Sequence, residues 1–335
     1  MSAPSWKTPG ISPRSGLPAT EMQFLAGSAN YPSDTPPPVV TIGNFDGLHM
    51  GHRSLLDLVL QRSKELGAPS CAFTFEPSPR SVLSPKQRPP RITPWMERIR
   101  SLTSYGVDHV VLENFSVAFA QHPPEWFVSE IIIRRLRARS LIVGYDFRFG
   151  KARAGDVHLL RRLAPGLDIE QVPPLKHEGE IVSSSLVRKL VQEGNVGKAA
   201  TLLGRPHQIH GVVVPGLQRG RKIGFPTANL TVDTELLPGS GVYAVFVSID
   251  KGDRHLGVAN LGIQPTFDGH VFQTEIHLLD FSGDVYGSEV DVQFIERLRP
   301  ERRFSSSEAL VRQLSRDVVQ ARELLDGINA PDFIS

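Results

Sequence analysis

VVTIGNFDGLHMGHRSLLDLVLQRSKELG, residues 39–67, is a strand, a glycine-punctuated turn and a helix in succession. The apolar run Val39 to Ile42 reads as a buried strand, and the segment from His52 to Gly67 as the helix that follows it. Gly43 to His52 then forms the turn at the carboxyl end of that strand, where open α/β sheets bind ligands. Gly43, Gly47 and Gly51 permit close backbone approach. His49 and His52, three apart as the helix begins, project toward whatever the exposed N–H groups of its N-terminus hold. Two histidine donors beside such groups suit a polyphosphate. The alternatives are surface or capping histidines, and a zinc site. Strand, glycine turn, HxGH and helix occur together in that order, which favours the anion site over capping. Zinc is disfavoured because no cysteine lies near the two histidines.

Outward from this stretch the same alternation continues. SCAFTFEP and a helix around MERIRSLTSYG follow, then HVVLENF and SLIVGYDF, separated by the helical PPEWFVSEIIIRRLRA. Strands alternating with helices predict a doubly wound α/β domain built on a parallel sheet. SSSLVRKLVQEGNVGKAATLLG reads as two helices broken near Glu193 to Asn195, after which strands take over. HQIHGVVV, GVYAVFVSI, HLGVANLG, TEIHLLDF and VDVQFI, separated by Gly, Pro and Asp turns, predict a small antiparallel barrel or sandwich. A last helix runs from an N-cap among Ser305 to Ser307 to a stop at Gly327, with Leu310, Leu314, Val318 and Leu324 as its apolar stripe. The domain boundary is placed near Gly204.

Composition bounds the rest. A chain of 335 residues with 40% hydrophobic and 21% charged residues has material for two folded domains. No apolar run approaches the roughly 18 residues of a membrane span. One cysteine, Cys71, lies in an apolar run and gives no disulfide framework, which fits a reducing compartment; a cytoplasmic location is expected. The net charge of +2 makes no strong case for nucleic acid or membrane partners. Pro4, Pro9, Pro13 and Pro18 break any amphipathic transit helix, so residues 1–21 read as a disordered extension.

IGNFDGLHMGH resembles the nucleotide-binding motif of the HxGH nucleotidyltransferase superfamily, in the form found in the bacterial bifunctional riboflavin kinase/FAD synthetase family. FTFEPSPR, VGYDFRFGKARAGD and SSSLVR resemble that family's later adenylyltransferase motifs, in order, and the likeness begins near Met22. The resemblance implies a Rossmann-like domain over residues 22–204 that joins FMN to ATP and expels pyrophosphate. It assigns His49 and His52 to charge neutralisation, Gly43, Asn44, Phe45 and Gly51 to the nucleotide, and Ser184 and Arg188 to ATP phosphates. Asp146 is placed at the border of the nucleotide and flavin pockets; its alternative is a turn-forming aspartate. Ser78 stands where the family usually has histidine, and serine cannot become cationic there.

In the second half, GLQRGRKIGFPTANL carries the chemistry. Pro226 disfavours helix at Phe225, so the segment is extended and Thr227 and Asn229 share a face. A hydroxyl and an amide carbonyl are hard oxygen ligands suited to Mg²⁺ carrying nucleotide phosphates, with Gly220, Gly224, Arg221 and Lys222 alongside. In VFQTEIHLLDF, Gln273, Glu275 and His277 alternate with Phe272, Ile276 and Leu278; taken alone, Glu275 reads as a solvated strand carboxylate. Together with GVYAV, GVANLGIQPTF, DVYG and LRPERRF, these segments resemble the riboflavin kinase module, a small barrel with a terminal helix, over residues 205–335. That resemblance makes Thr227 and Asn229 ligands of Mg²⁺ and ATP, adds Gly220 and Lys222 to the nucleotide site, and makes Glu275 the base on the riboflavin 5′-hydroxyl. It places Arg299 against flavin or phosphate, the alternative being a solvated basic cluster. The implied partners are ATP, riboflavin, FMN and FAD.

Two rival readings differ in class. An HxGH transferase for another phosphorylated metabolite leaves the PTAN string and Glu275 without purpose. An RNA-binding surface built on Arg134, Arg135, Arg137 and Arg139 lacks any accompanying stacked-aromatic motif.

Overall fold

The computed structural model of the chain describes residues 23–216, 220, 223–266, 269–328 and 332–333. The extension expected over residues 1–21 and the nucleotide assignment of Lys222 lie outside the described residues. The chain packs as two compact units that divide between Ser183 and Ser184.

The first unit is a parallel sheet with helices on both faces. Its strands are β1 (Gln23–Ala26), β2 (Val39–Ile42), β3 (Ser70–Phe75), β4 (His109–Glu113), β5 (Ser140–Gly144) and β6 (Asp168–Val172), in the order β1-β4-β3-β2-β5-β6. Chain order runs outward from β2 through β3 to β4 on one side and resumes with β5 and β6 on the other. The reversal therefore lies between β2 and β5, and the crevice outside their carboxyl ends is where such sheets bind ligands. Both β2 and β3 are buried at every residue, as parallel strands covered on both faces must be. On one face α1 (Met50–Leu66) packs through Leu55, Leu56 and Val59, with Ile99 and Leu102 of a helix over Trp95–Ser104. On the other lie Phe127, Val128, Ile131 and Ile132 of a π-helical stretch, Phe127–Arg135, with Val157 and Leu160 of the helix Val157–Leu163.

Two features were not read from the sequence. β1 is an edge strand pairing with β4, and a short hairpin, β7 (Lys176–His177) with β8 (Glu180–Ile181), follows β6. Their few residues give periodicity too little to work on. The arginines of the RNA-binding alternative are engaged within the fold. Arg134 and Arg135 pair with Glu130, Arg137 donates to the carbonyls of Pro32 and Thr35 at 2.8 Å, and Arg139 donates to that of Leu66.

The second unit opens with two helices, Ser184–Gln192 and Val196–Leu203, broken by Glu193 to Asn195 as expected. Then β9 (His207–Val214), β10 (Ala228–Val232), β11 (Gly241–Ile249), β12 (Arg254–Thr266), β13 (Gly269–Leu278) and β14 (Glu289–Arg299) close an antiparallel barrel in the order β10-β13-β12-β11-β14-β9. Its interior holds Leu230, Tyr243, Val245, Ala259, Leu261, Ile276 and Phe294. The terminal helix, Ser307–Leu325, covers part of the outer surface through Ala321 and Leu325, which meet Val242, Ala244, Phe246 and Val258. Ser306 caps it, its side chain accepting the Ala309 amide hydrogen. The stripe expected at Leu310, Leu314, Val318 and Leu324 is off centre. The fully buried line of this helix is Asp317, Ala321 and Leu325, because Asp317 meets an arginine on the barrel wall.

Candidate active site

The turn after β2 is built by its own side chains. Phe45 takes a positive φ of 51° and is fully buried, its ring lying where a side chain on Gly43 would go: a methyl group there would come within 3.1 Å. Gly51 is needed for a similar reason, because the His49 ring would lie 3.3 Å from its methyl group. Those two glycines thus admit aromatic rings of the turn itself. Asp46 accepts from the amides of Ile92 and Thr93 at 3.1 Å and ties the loop after β3 to the turn.

His49 is the N-cap of α1. Its Nδ1 accepts the His52 amide hydrogen at 3.3 Å, which leaves Nε2 as its N–H. Capping and ligand binding are therefore compatible in one residue. The His52 ring stacks on His49 at 3.7 Å between centroids, and its Nδ1 is buried without a hydrogen-bond partner among the described residues. Burial, and then the neighbouring His49 and Arg98, push the His52 imidazole well below its ordinary range. It is held neutral here, a donor rather than a cation. Arg98 supplies the buried positive charge, with Nη2 3.0 Å from both the Phe75 carbonyl and Glu76 Oε2. Ser78 caps the short helix Pro79–Leu83, accepting from the Ser81 amide. Asn44 lends its carbonyl to Thr74 Oγ1 at 3.3 Å, and Asp146 is exposed in the turn just past β5, on the other side of the crevice from Gly43. Ser184 and Arg188 stand one turn apart at the start of the second unit.

On the barrel, the antiparallel register sets a polar row. Asn229 on β10 lies opposite Glu275 on β13, and Glu275 opposite Asn260 on β12. Their chain neighbours Leu230, Ile276, Ala259 and Leu261 fill the interior, so by alternation the row faces outward. Asn229 is nevertheless buried: its Oδ1 accepts from Gln273 Nε2, and a methyl group at Gly216 would lie 1.9 Å from its Nδ2. Gly220 packs against the Phe225 carbonyl and beside the Thr227 hydroxyl, and its own carbonyl accepts from the Phe225 amide at 2.9 Å. His277 Nδ1 lies 2.8 Å from the Pro226 carbonyl, which fixes the PTAN segment to β13. Among the described residues no three His, Cys, Asp or Glu side chains gather as a metal site. A hydroxyl and an amide oxygen suit a hard cation that keeps its waters and phosphate oxygens rather than an all-protein cage.

Arg299 ends β14 with its guanidinium forked onto Asp317, Nε at 3.0 Å and Nη2 at 2.8 Å. Its charge is matched by a buried aspartate of the terminal helix, so it is not part of a solvated basic cluster.

A doubly wound unit with an HxGH turn at its switch point, followed by a closed barrel with an outward amide–carboxylate row, defines a two-module nucleotide-dependent transferase. FAD synthetase matches residues 31–186 and riboflavin kinase residues 203–325. Over 296 residues the chain is 40% identical to the bifunctional riboflavin kinase/FMN adenylyltransferase of Escherichia coli K12, covering 88% of this chain and 94% of that one. The Pseudomonas fluorescens protein of the same description is 38% identical over 306 residues, covering 90% and 98%. A solved structure described as a macrolide-efflux protein from Streptococcus pneumoniae superposes with a TM-score of 0.81 at 32% identity, covering 90% of this chain and 98% of that one. Among the described residues no helix of the present chain is long and apolar enough to cross a membrane. The chain belongs to the bifunctional riboflavin kinase/FMN adenylyltransferase family.

Proposed function

We infer that the chain phosphorylates riboflavin to FMN with ATP and then joins FMN to a second ATP, giving FAD and pyrophosphate. The observation that carries this is the pairing of site with family match. The HxGH turn lies in the stretch matching FAD synthetase, and the Asn229–Glu275 row in the stretch matching riboflavin kinase. We assign adenylyl transfer to residues 22–204 and the kinase to residues 205–335.

In the kinase, Glu275 takes the proton from the 5′-hydroxyl as its oxygen attacks the γ-phosphorus and ADP leaves. An un-ionised hydroxyl benefits from such help. Enzymes of this class generally use a divalent metal, and we assign Mg²⁺ to the oxygens of Thr227 and Asn229, where it would neutralise phosphate charge. Gly220 and Lys222 complete the nucleotide site on the motif. In adenylyl transfer the FMN phosphate is already largely ionised at neutral pH, so alignment and charge stabilisation suffice. His49 Nε2–H and the unpartnered His52 serve as donors to the triphosphate, with the backbone of Gly43 to Phe45 and Gly51 around them. Asp146 borders the flavin, and Ser184 and Arg188 contact phosphate, on their motifs. Arg299 acts by holding the segment after β14. The reading calls for a cytoplasmic enzyme of small molecules with no nucleic-acid or membrane partner.

Incubation of the chain with riboflavin and Mg-ATP, followed by chromatography, tests the whole proposal. FMN should appear first and FAD after it; no FMN would sink the kinase assignment, and FMN without FAD the transferase assignment.

A further inference from the structure

The polar row on the barrel holds one member that the mechanism above does not use, and a second carboxylate lies next to it. Asn260 faces outward beside Glu275, its cross-strand partner, and neighbouring strands are about 4.8 Å apart. Two residues further along β12, on the same face and about 7 Å away, is Gly262. The Glu301 carboxylate sits on that glycine: a methyl group there would come within 2.2 Å of Oε1 and 2.6 Å of Oε2. Glu301 is brought there by the fork of Arg299 onto the buried Asp317, two residues before it. Its exposed neighbour Arg302 turns away to Gln313. Among the described residues neither the Asn260 amide nor the Glu301 carboxylate has a hydrogen-bond or ionic partner. A carboxylate that accepts and an amide that does both, spaced along the approach to Glu275, match a run of hydroxyl groups.

We propose that Asn260 and Glu301 bind the secondary hydroxyls of the flavin's polyol chain and so set its terminal hydroxyl before Glu275. This rests on reading the barrel as the riboflavin kinase. Binding a polyol through a charged acceptor and an amide makes the kinase selective for hydroxylated chains over plain alkyl alcohols of equal length. Removing either group leaves the phosphate-binding residues in place.

The test compares riboflavin with a flavin whose N10 carries an unbranched 5-hydroxypentyl chain, in the full-length chain and in Asn260→Ser, Glu301→Ala and Glu301→Gln. Hydrogen bonds to a charged group correspond to roughly 10- to 100-fold in binding. Glu301→Ala should therefore raise the KM for riboflavin by about that factor while leaving the analogue's kcat/KM and the KM for ATP unchanged. Asn260→Ser should act in the same direction, and Glu301→Gln, which keeps the shape and an acceptor, should recover part of the loss. The unchanged KM for ATP and the unchanged kcat/KM for the analogue report that the barrel of each variant is folded. An equal fall for both substrates would overturn the proposal, as would a changed Mg²⁺ dependence with an unchanged preference between them. If the unsubstituted chain makes no FMN from riboflavin, the kinase reading fails and this assignment fails with it.

Discussion

His52 presents a buried ring nitrogen with no partner among the described residues, stacked on the residue that caps α1, and on the proposed mechanism its replacement removes a donor to the triphosphate. We expect His52→Ala to stop the reaction at FMN, with FAD formation down roughly 10²- to 10³-fold, as for other preorganised donors. Unchanged FAD production, measured by chromatography, would take His52 out of the mechanism. Asn229 and Glu275 should behave in the opposite way. Asn229→Ala and Glu275→Gln should abolish FMN formation while FAD formation from supplied FMN survives, because Asn229 and Glu275 lie on the barrel and the HxGH histidines lie in the other unit. Loss of both reactions in a folded variant would show that the sites depend on one another. What a residue's place in the sequence conveys also ends here. That Asn229, Glu275 and Asn260 stand abreast was not legible, since strand register depends on partners far away in the chain.

The terminal helix is held at the level of the element by one buried ion pair. Asp317 is 1% exposed and receives both the fork of Arg299 and the amide of Gln313. Removing the aspartate leaves an uncompensated guanidinium, a change that costs roughly 3–5 kcal/mol. Asp317→Ala should lower the unfolding free energy of the barrel by about that much in urea titrations, and reduce kinase activity more than adenylyl transfer. An effect within 0.5 kcal/mol would mean that the helix is held by its apolar contacts instead. The strand β9 carries a second device. His207 is fully buried with Nε2 2.9 Å from the Leu236 carbonyl, and burial pushes its imidazole down to about 4. Its folded value lies below the unfolded value near 6.5, so the unfolded chain binds more protons between the two. The contribution is complete above about pH 6.5 and is lost as pH falls toward 4, at most about 3 kcal/mol. Denaturation curves at pH 7 and pH 4.5 should show this loss in the unsubstituted chain and less of it in His207→Gln. Equal pH dependence in both would assign the acid sensitivity to other groups.

At the scale of the whole molecule, the composition of residues 1–21, rich in Pro and Ser without apolar periodicity, predicts a small contribution to stability. A chain starting at Met22 should keep its melting temperature and both rates within a small factor of the full chain. A large fall in melting temperature, or loss of FAD synthesis, would show instead that Trp6 or Ile11 packs onto the fold.

The order of strands, turns and helices, the glycine-punctuated HxGH turn at residues 43–52, the change to an antiparallel half and the terminal helix all follow from the sequence, because periodicity, glycine and capping residues act locally. The tertiary structure alone decided three things. It made His49 a cap as well as a candidate donor and kept His52 neutral, since burial depends on what packs around the turn. It paired Arg299 with the buried Asp317 of the terminal helix, since a charge takes the partner that folding brings to it. And it set Asn260 beside Glu275 and Glu301 upon Gly262, since neither cross-strand register nor the reach of a loop is encoded in neighbouring residues.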